Sequence, residues 1–149
     1  MIEAAPRVAA HSYWLADACG GEVWEVAATH AYVRRDSVLV QTNHAQAAAL
    51  AEIEEERPSR TSTLRLAVAS TAALCVAACS GAEASDALVA LFSDRRDGLD
   101  SICRWPEDDT GTTTNAVLIA EPALGRVRAC RGPAGRGQWI EFAFIRAGS

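Results

Sequence analysis

The chain has 149 residues, half of them hydrophobic, so it is long enough for one domain with a buried core. Its formal net charge is −5, and the one run of like charges is Glu54-Glu55-Glu56, so it offers no basic stripe for a phosphate backbone; nucleic acid is excluded as an expected partner. The apolar run from Leu66 to Cys79 is shorter than the roughly 20 residues a crossing helix needs, and the N-terminus lacks the charged-then-apolar order of a leader, so no membrane partner is expected.

Tyr13 to Asp17 predicts a strand that turns at Cys19-Gly20-Gly21 and returns over Glu22 to Ala27, since Gly-Gly between such runs signals a hairpin. Ser37 to Thr42, with Val38, Leu39 and Val40, predicts a third strand that delivers Asn43 at its end. Ala45 to Glu56 reads as helix-like or irregular, closed at Arg57-Pro58, because the residue before proline is pushed out of helical geometry. Thr61 or Ser62 caps a long helix reaching about Cys79, where Gly81 breaks it. A second helix, capped by Ser85 with Asp86 at its positive end, buries Leu88, Leu91 and Phe92 and stops at Asp97-Gly98. The last third reads as an antiparallel meander: Asn115 to Glu121, a turn at Pro122-Ala123-Leu124-Gly125, Arg126 to Cys130, and Gln138 to Ile145. Strands, then helices, then strands predict an α+β architecture with helices over one face of antiparallel sheet.

The five cysteines, Cys19, Cys75, Cys79, Cys103 and Cys130, are odd in number and lack CxxC spacing, which predicts reduced thiols and a cytoplasmic location. Cys75 and Cys79 lie one turn apart in an apolar segment and read as small hydrophobes, with no further ligand nearby for a metal. Asn43, at the end of a predicted strand, has two readings. Its amide can face a developing oxyanion, or it can cap the helix that follows. Arg104 can hold a carboxylate or order a thiolate, or can pair at the surface with Asp100, Asp108 or Asp109. Of the histidines, His44 is a better candidate base than His30 because it adjoins Asn43, although a lone His at a strand end is more often structural. Cys103 is a poor candidate nucleophile, since no His lies near it in sequence. Cys19 and Glu25 receive no role.

Thr42-Asn43-His44 after a strand, a Ser62-x-x-Arg65 helix start, Leu91-Phe92-Ser93-Asp94 at a helix end and then Ser101-Ile102-Cys103-Arg104 occur in an order that resembles the C-terminal portion of the acyl-coenzyme A:isopenicillin N acyltransferase family. The hairpin Leu15-Ala16-Asp17-Ala18-Cys19-Gly20 to Trp24-Glu25 resembles that family's strand pair ahead of its Thr-Asn-His, and the likeness spans nearly the whole chain.

That resemblance implies part of an αββα N-terminal-nucleophile hydrolase sandwich, antiparallel strands with two central helices, over a single domain 1–149. It implies amide hydrolysis or acyl transfer between a thioester and an amine. Asn43 would be the oxyanion donor, Arg104 the arginine that steadies cysteine or substrate, and His44 and Ser12 substrate contacts. No metal or organic cofactor is implied, because such chemistry needs a thiolate, an amine and hydrogen-bond donors. The family's catalytic cysteine precedes its Thr-Asn-His in a segment this sequence does not contain. A protein partner or second copy is therefore expected to complete the sandwich around a small acyl-amide or acyl-coenzyme A substrate. A non-catalytic binding module, or an inactive fragment of that fold, is the alternative. The chain departs from the residues common in the resembled family at Ser12 (Asn), Trp105 (His) and Arg95-Arg96 (His).

Overall fold

A computed structural model describes residues 10–53, 58–108 and 111–144. It is mixed α+β, with two antiparallel three-stranded sheets that bracket the helices in sequence.

The first sheet runs in the order β1 (His11–Ala16), β2 (Gly21–Val26), β3 (Ala31–Arg34). The expected hairpin forms with Ala16 opposite Gly21, and Asp17 makes the turn. Its Oδ1 accepts from the backbone of Cys19 at 2.7 Å and of Gly20 at 3.1 Å, the local side-chain bond for which Asp is favoured in turns. The central strand β2 buries Val23, Glu25 and Val26, while every residue of β1 is exposed.

The third strand lies earlier than expected. The ladder closes at Ala31–Arg34, and Ser37 to Thr42 forms no regular strand despite its β-branched residues. Side chains take over the ladder's work there: the Val40 carbonyl accepts from Arg34 Nη2 at 3.1 Å and Gln46 Nε2 at 2.9 Å.

Helix α1 is one turn, Ala48–Ala51; the closing Arg57 falls outside the described residues. Helix α2 covers Arg60–Ala77 and α3 Gly81–Phe92. Both expected caps are corrected. Ser59, not Thr61 or Ser62, caps α2, accepting from the Ser62 N–H at 3.2 Å, because the helix starts two or three residues earlier and so places Ser62 in its first turn. Ser85 lies inside α3, buried, and its hydroxyl accepts from Arg128 Nη1 at 2.7 Å, which ties the helix to the second sheet.

That sheet, β4 (Ala116–Glu121), β5 (Arg126–Arg131), β6 (Trp139–Ala143), matches the expected meander, although Ile145, the expected end of its last strand, lies outside the described residues. Gly125 closes the first turn at φ +66°, a left-handed conformation suited to glycine. Val117, Ile119, Cys130 and Ala134 form its buried cluster, packed by Leu88, Val89 and Phe92 of α3 and by Trp139. The opposite face carries Leu118 aligned with Ala129 and Ile140, and Val127 aligned with Phe142. Leu118, Ile140 and Phe142 are each more than half exposed there.

Gly137 sits where nothing larger fits. A Cβ on it would meet Cys130 Sγ at 2.1 Å and the Arg131 carbonyl oxygen at 2.6 Å, and the second contact is backbone. Gly137→Ala is expected to destabilise the chain by about 1–3 kcal/mol through forced displacement of the β5 end, read as a lower urea midpoint at unchanged slope. An unchanged midpoint would show that this loop is free to move.

Candidate functional site

The site is built outward from Glu25. Its carboxylate, on the central strand, is only 2% exposed, and a buried charge persists when it is paired and hydrogen-bonded. Oε1 lies 2.9 Å from Arg34 Nε on the neighbouring strand. Oε2 accepts from the backbone N–H of Gln46 at 2.7 Å and of Ala47 at 3.0 Å. Those two donors lead into α1, whose N-cap residue Ala47 has no side-chain acceptor of its own, so Glu25 caps that turn from a distance. Arg34 also donates to Gln41 Oε1 at 2.6 Å, and Gln41 Nε2 donates to the His44 carbonyl at 2.8 Å. The segment that carries Thr42-Asn43-His44 is thereby held at both ends.

Its middle is held by Ser62, whose side chain is buried at the start of α2. The Ser62 hydroxyl accepts from the Asn43 backbone N–H at 3.0 Å, meets His44 Nδ1 at 2.8 Å and donates to Thr42 Oγ1 at 3.2 Å. Asn43 itself is exposed, and its Oδ1 accepts from Arg65 Nη2 at 2.9 Å. This contact orients the amide: with oxygen on the guanidinium, Nδ2 is presented as a donor on the other side.

Arg104 reaches the same place from the other direction. Its backbone N–H donates to Thr114 Oγ1 at 3.0 Å, its Nη1 donates to Thr112 Oγ1 at 2.6 Å, and its Nη2 donates to Thr61 Oγ1 in the first turn of α2. Arg65 Nε donates to the Thr61 carbonyl at 3.3 Å, so Thr61 carries both arginines. Burial first, and the Arg104 charge second, push the Arg65 pKa down from its ordinary value, with Asp100 acting in the opposite sense. The surface pairs open to Arg104 are otherwise engaged: Asp100 lies 3.6 Å from Arg60, Asp108 pairs with Arg95, and Asp109 is outside the described residues.

Asn43, His44 and Arg104 are thus brought together around the N-terminal turn of α2. Ser12 is placed on β1 in register with Glu25, and no hydrogen bond joins it to Asn43 or Arg104 among the described residues. Sequence reasoning passed over Glu25 and Arg34. A lone Glu in an alternating strand carries no sign of which face is buried, and its partners lie on other elements. Arg65 was visible only as part of Ser62-x-x-Arg65.

Cys103 and Cys130 are both buried, and burial, followed by the nearness of Cys103, pushes the Cys130 thiol up. Cys19 and Cys75 are exposed and have no part in this cluster. Among the described residues no three His, Cys, Asp or Glu side chains converge as metal ligands, and no helix is long and apolar enough to cross a membrane.

Two of the residues that depart from the resembled pattern, Arg95 and Trp105, form a unit together with Arg136. Guanidinium carbons of Arg95 and Arg136 stand 3.6 and 3.4 Å from the Trp105 ring centroid, distances that require opposite faces of the indole. Arg95 pairs with Asp108, and Arg136 with Glu107 at 2.8 Å. The Arg at 95 and the Trp at 105 are one stacked contact, whereas Arg96 turns to Asp94.

Carboxylates outside the cluster are held ionised by donors beside them. The Trp24 indole and Arg35 hold Glu22 below the usual carboxylate range, Arg96 does so for Asp94, Arg136 for Glu107, and Arg126 for Glu121. A carboxylate with a lowered folded-state pKa adds stability above its unfolded pKa and loses it as pH falls through the folded value. The thermal midpoint is therefore expected to hold from neutral pH to about pH 5 and to fall progressively below about pH 4. A midpoint unchanged at about pH 3 would mean these contacts add nothing in solution.

No protein-family model matches the chain, and no curated protein is significantly similar to it.

Proposed function

We propose that the chain contributes the oxyanion-donor and arginine side of a cysteine N-terminal-nucleophile amidohydrolase or acyltransferase, with the nucleophile supplied by residues outside this sequence. The observation that carries the reading is the convergence of Asn43, His44, Arg65 and Arg104 on the first turn of α2, with the Asn43 amide turned so that its N–H group can donate. In this reading a cysteine thiolate attacks an acyl carbon, and the carbonyl pair moves onto oxygen, where Asn43 Nδ2 donates to it. Collapse expels the amine, which takes its proton from the cysteine's own α-ammonium group, and leaves a thioester for water or a second amine.

The αββα sandwich belongs to the same proposal. The second sheet has α3 on one face and Leu118, Ile140 and Phe142 bare on the other, the state of a layer that another sheet would cover. A protein partner covering that face belongs to the same proposal, as does a cytoplasmic location, which rests on the five free cysteines.

The test is to co-express the chain with the cysteine-bearing segment encoded beside it and to assay release of an amide-linked acyl group. Turnover that needs both pieces supports the reading. A monodisperse, cooperatively unfolding monomer without turnover refutes it and leaves a non-catalytic binding module.

A further inference from the structure

Arg65 and Arg104 stand apart from the chain's other cations. Among the described residues, every arginine except Arg65, Arg104 and Arg131 has the carboxylate oxygen of another described residue within 4.0 Å. Arg131 ends β5, on the far sheet. Arg65 and Arg104 instead share Thr61 and rest on neutral oxygens: the Asn43 amide, the Thr61 carbonyl and hydroxyl, and the Thr112 hydroxyl. Arg104 Nε, like Arg34 Nε and Arg95 Nε, is buried without a hydrogen-bond partner among the described residues, but unlike those two arginines Arg104 has no described carboxylate beside it. Asp100, whose charge acts on Arg65 more weakly than burial and Arg104 do, is 3.6 Å from Arg60. Two half-buried like charges side by side repel, and an anion received between them relieves that repulsion. The pair opens to solvent at Asn43 and Thr112, both exposed.

We propose that Arg65 and Arg104 form a carboxylate subsite and that the substrate is an N-acyl amino acid. The inference rests on the catalytic reading above for its substrate, but not for its binding chemistry. Planar guanidinium groups match carboxylates in bidentate geometry. Spacing selects the class of acid. Arg65 is hydrogen-bonded to the oxyanion donor itself, so a carboxylate seated there leaves room for only a short link to the acyl carbonyl. In an N-acyl α-amino acid that link is one nitrogen and one carbon.

The probes are N-benzoylglycine and its uncharged counterpart N-benzoylglycinamide, titrated calorimetrically into the purified full chain. Saturable binding of the acid, weakened about tenfold or more in the amide and in Arg65→Gln, is expected for loss of a charge-assisted contact. Arginine labelling of the wild-type chain by phenylglyoxal, mapped by mass spectrometry, supplies a readout that needs no variant: the acid should protect Arg65 and Arg104, and the amide should not. Equal binding of acid and amide, or labelling of both arginines unaffected by the acid, overturns the subsite. Neither readout involves turnover, so failure of the catalytic reading would appear in the co-expression assay and leave this result standing.

Discussion

Glu25→Ala is expected to cost about 3–5 kcal/mol of stability, the range for breaking a buried ion pair by removing one partner. Against a typical net stability of about 5–15 kcal/mol, that loss brings the chain close to unfolding at physiological temperature. The cost has two origins. Arg34 would remain three-quarters buried beside β2 without its counter-charge, and the Gln46 and Ala47 N–H groups would lose the acceptor that caps α1. The two are separable. A Glu25→Leu/Arg34→Met double variant removes both charges, and replacement of a whole buried pair by apolar groups is often neutral. Here it should remain destabilised by about 1–3 kcal/mol, because the two orphaned donors persist. Urea denaturation of both variants measures this. A double variant as stable as wild type would show that Glu25 acts through Arg34 alone, and a single variant shifted by less than about 1 kcal/mol would remove the pair from the account.

What the sequence made legible follows the distance over which each signal acts. The two hairpins were readable because a turn and its flanking strands are neighbours: Asp17 caps its own turn, and Gly125 closes the loop between β4 and β5. The β6 pattern was legible for the same reason. Ser37 to Thr42 misled because strand propensity describes what fits a pleated surface, and this segment has no ladder to join among the described residues. The Arg34 and Gln46 side chains satisfy it instead. The helix caps slipped because serine is frequent there. Ser59, Ser62, Ser80 and Ser85 all stand near the two starts, and only the register of the backbone separates a cap from a buried interior hydroxyl. Asn43 and Arg104 stood out in the sequence as candidates, and the contacts that join them did not. They run through Thr61 and Arg65 on a third element, and sequence order carries no sign of that.

Replacing the Asn43 amide distinguishes its two possible roles, because the two make opposite demands on the side chain. Glu25, not Asn43, caps the helix that follows, so the alternative role is to hold Arg65, which needs an acceptor oxygen that Asp supplies as well as Asn. An oxyanion donor needs the N–H, which Asp lacks. In the proposed assembly of the chain with a cysteine-bearing partner, Asn43→Ala is expected to lower turnover by about 10² to 10³-fold, the scale on which single oxyanion donors act. Asn43→Asp should lose at least as much, since a carboxylate would face the developing negative charge. Its stability should nevertheless match wild type, because an Asp oxygen keeps the 2.9 Å contact to Arg65, now between full charges, and the backbone N–H at this position still donates to Ser62. The loss should fall in kcat more than in KM, because the oxyanion exists only past the ground state. Turnover retained in Asn43→Asp with loss in Asn43→Ala would assign the residue to holding Arg65 and the loop, and the oxyanion donor would then have to be sought among other N–H groups of the assembled enzyme.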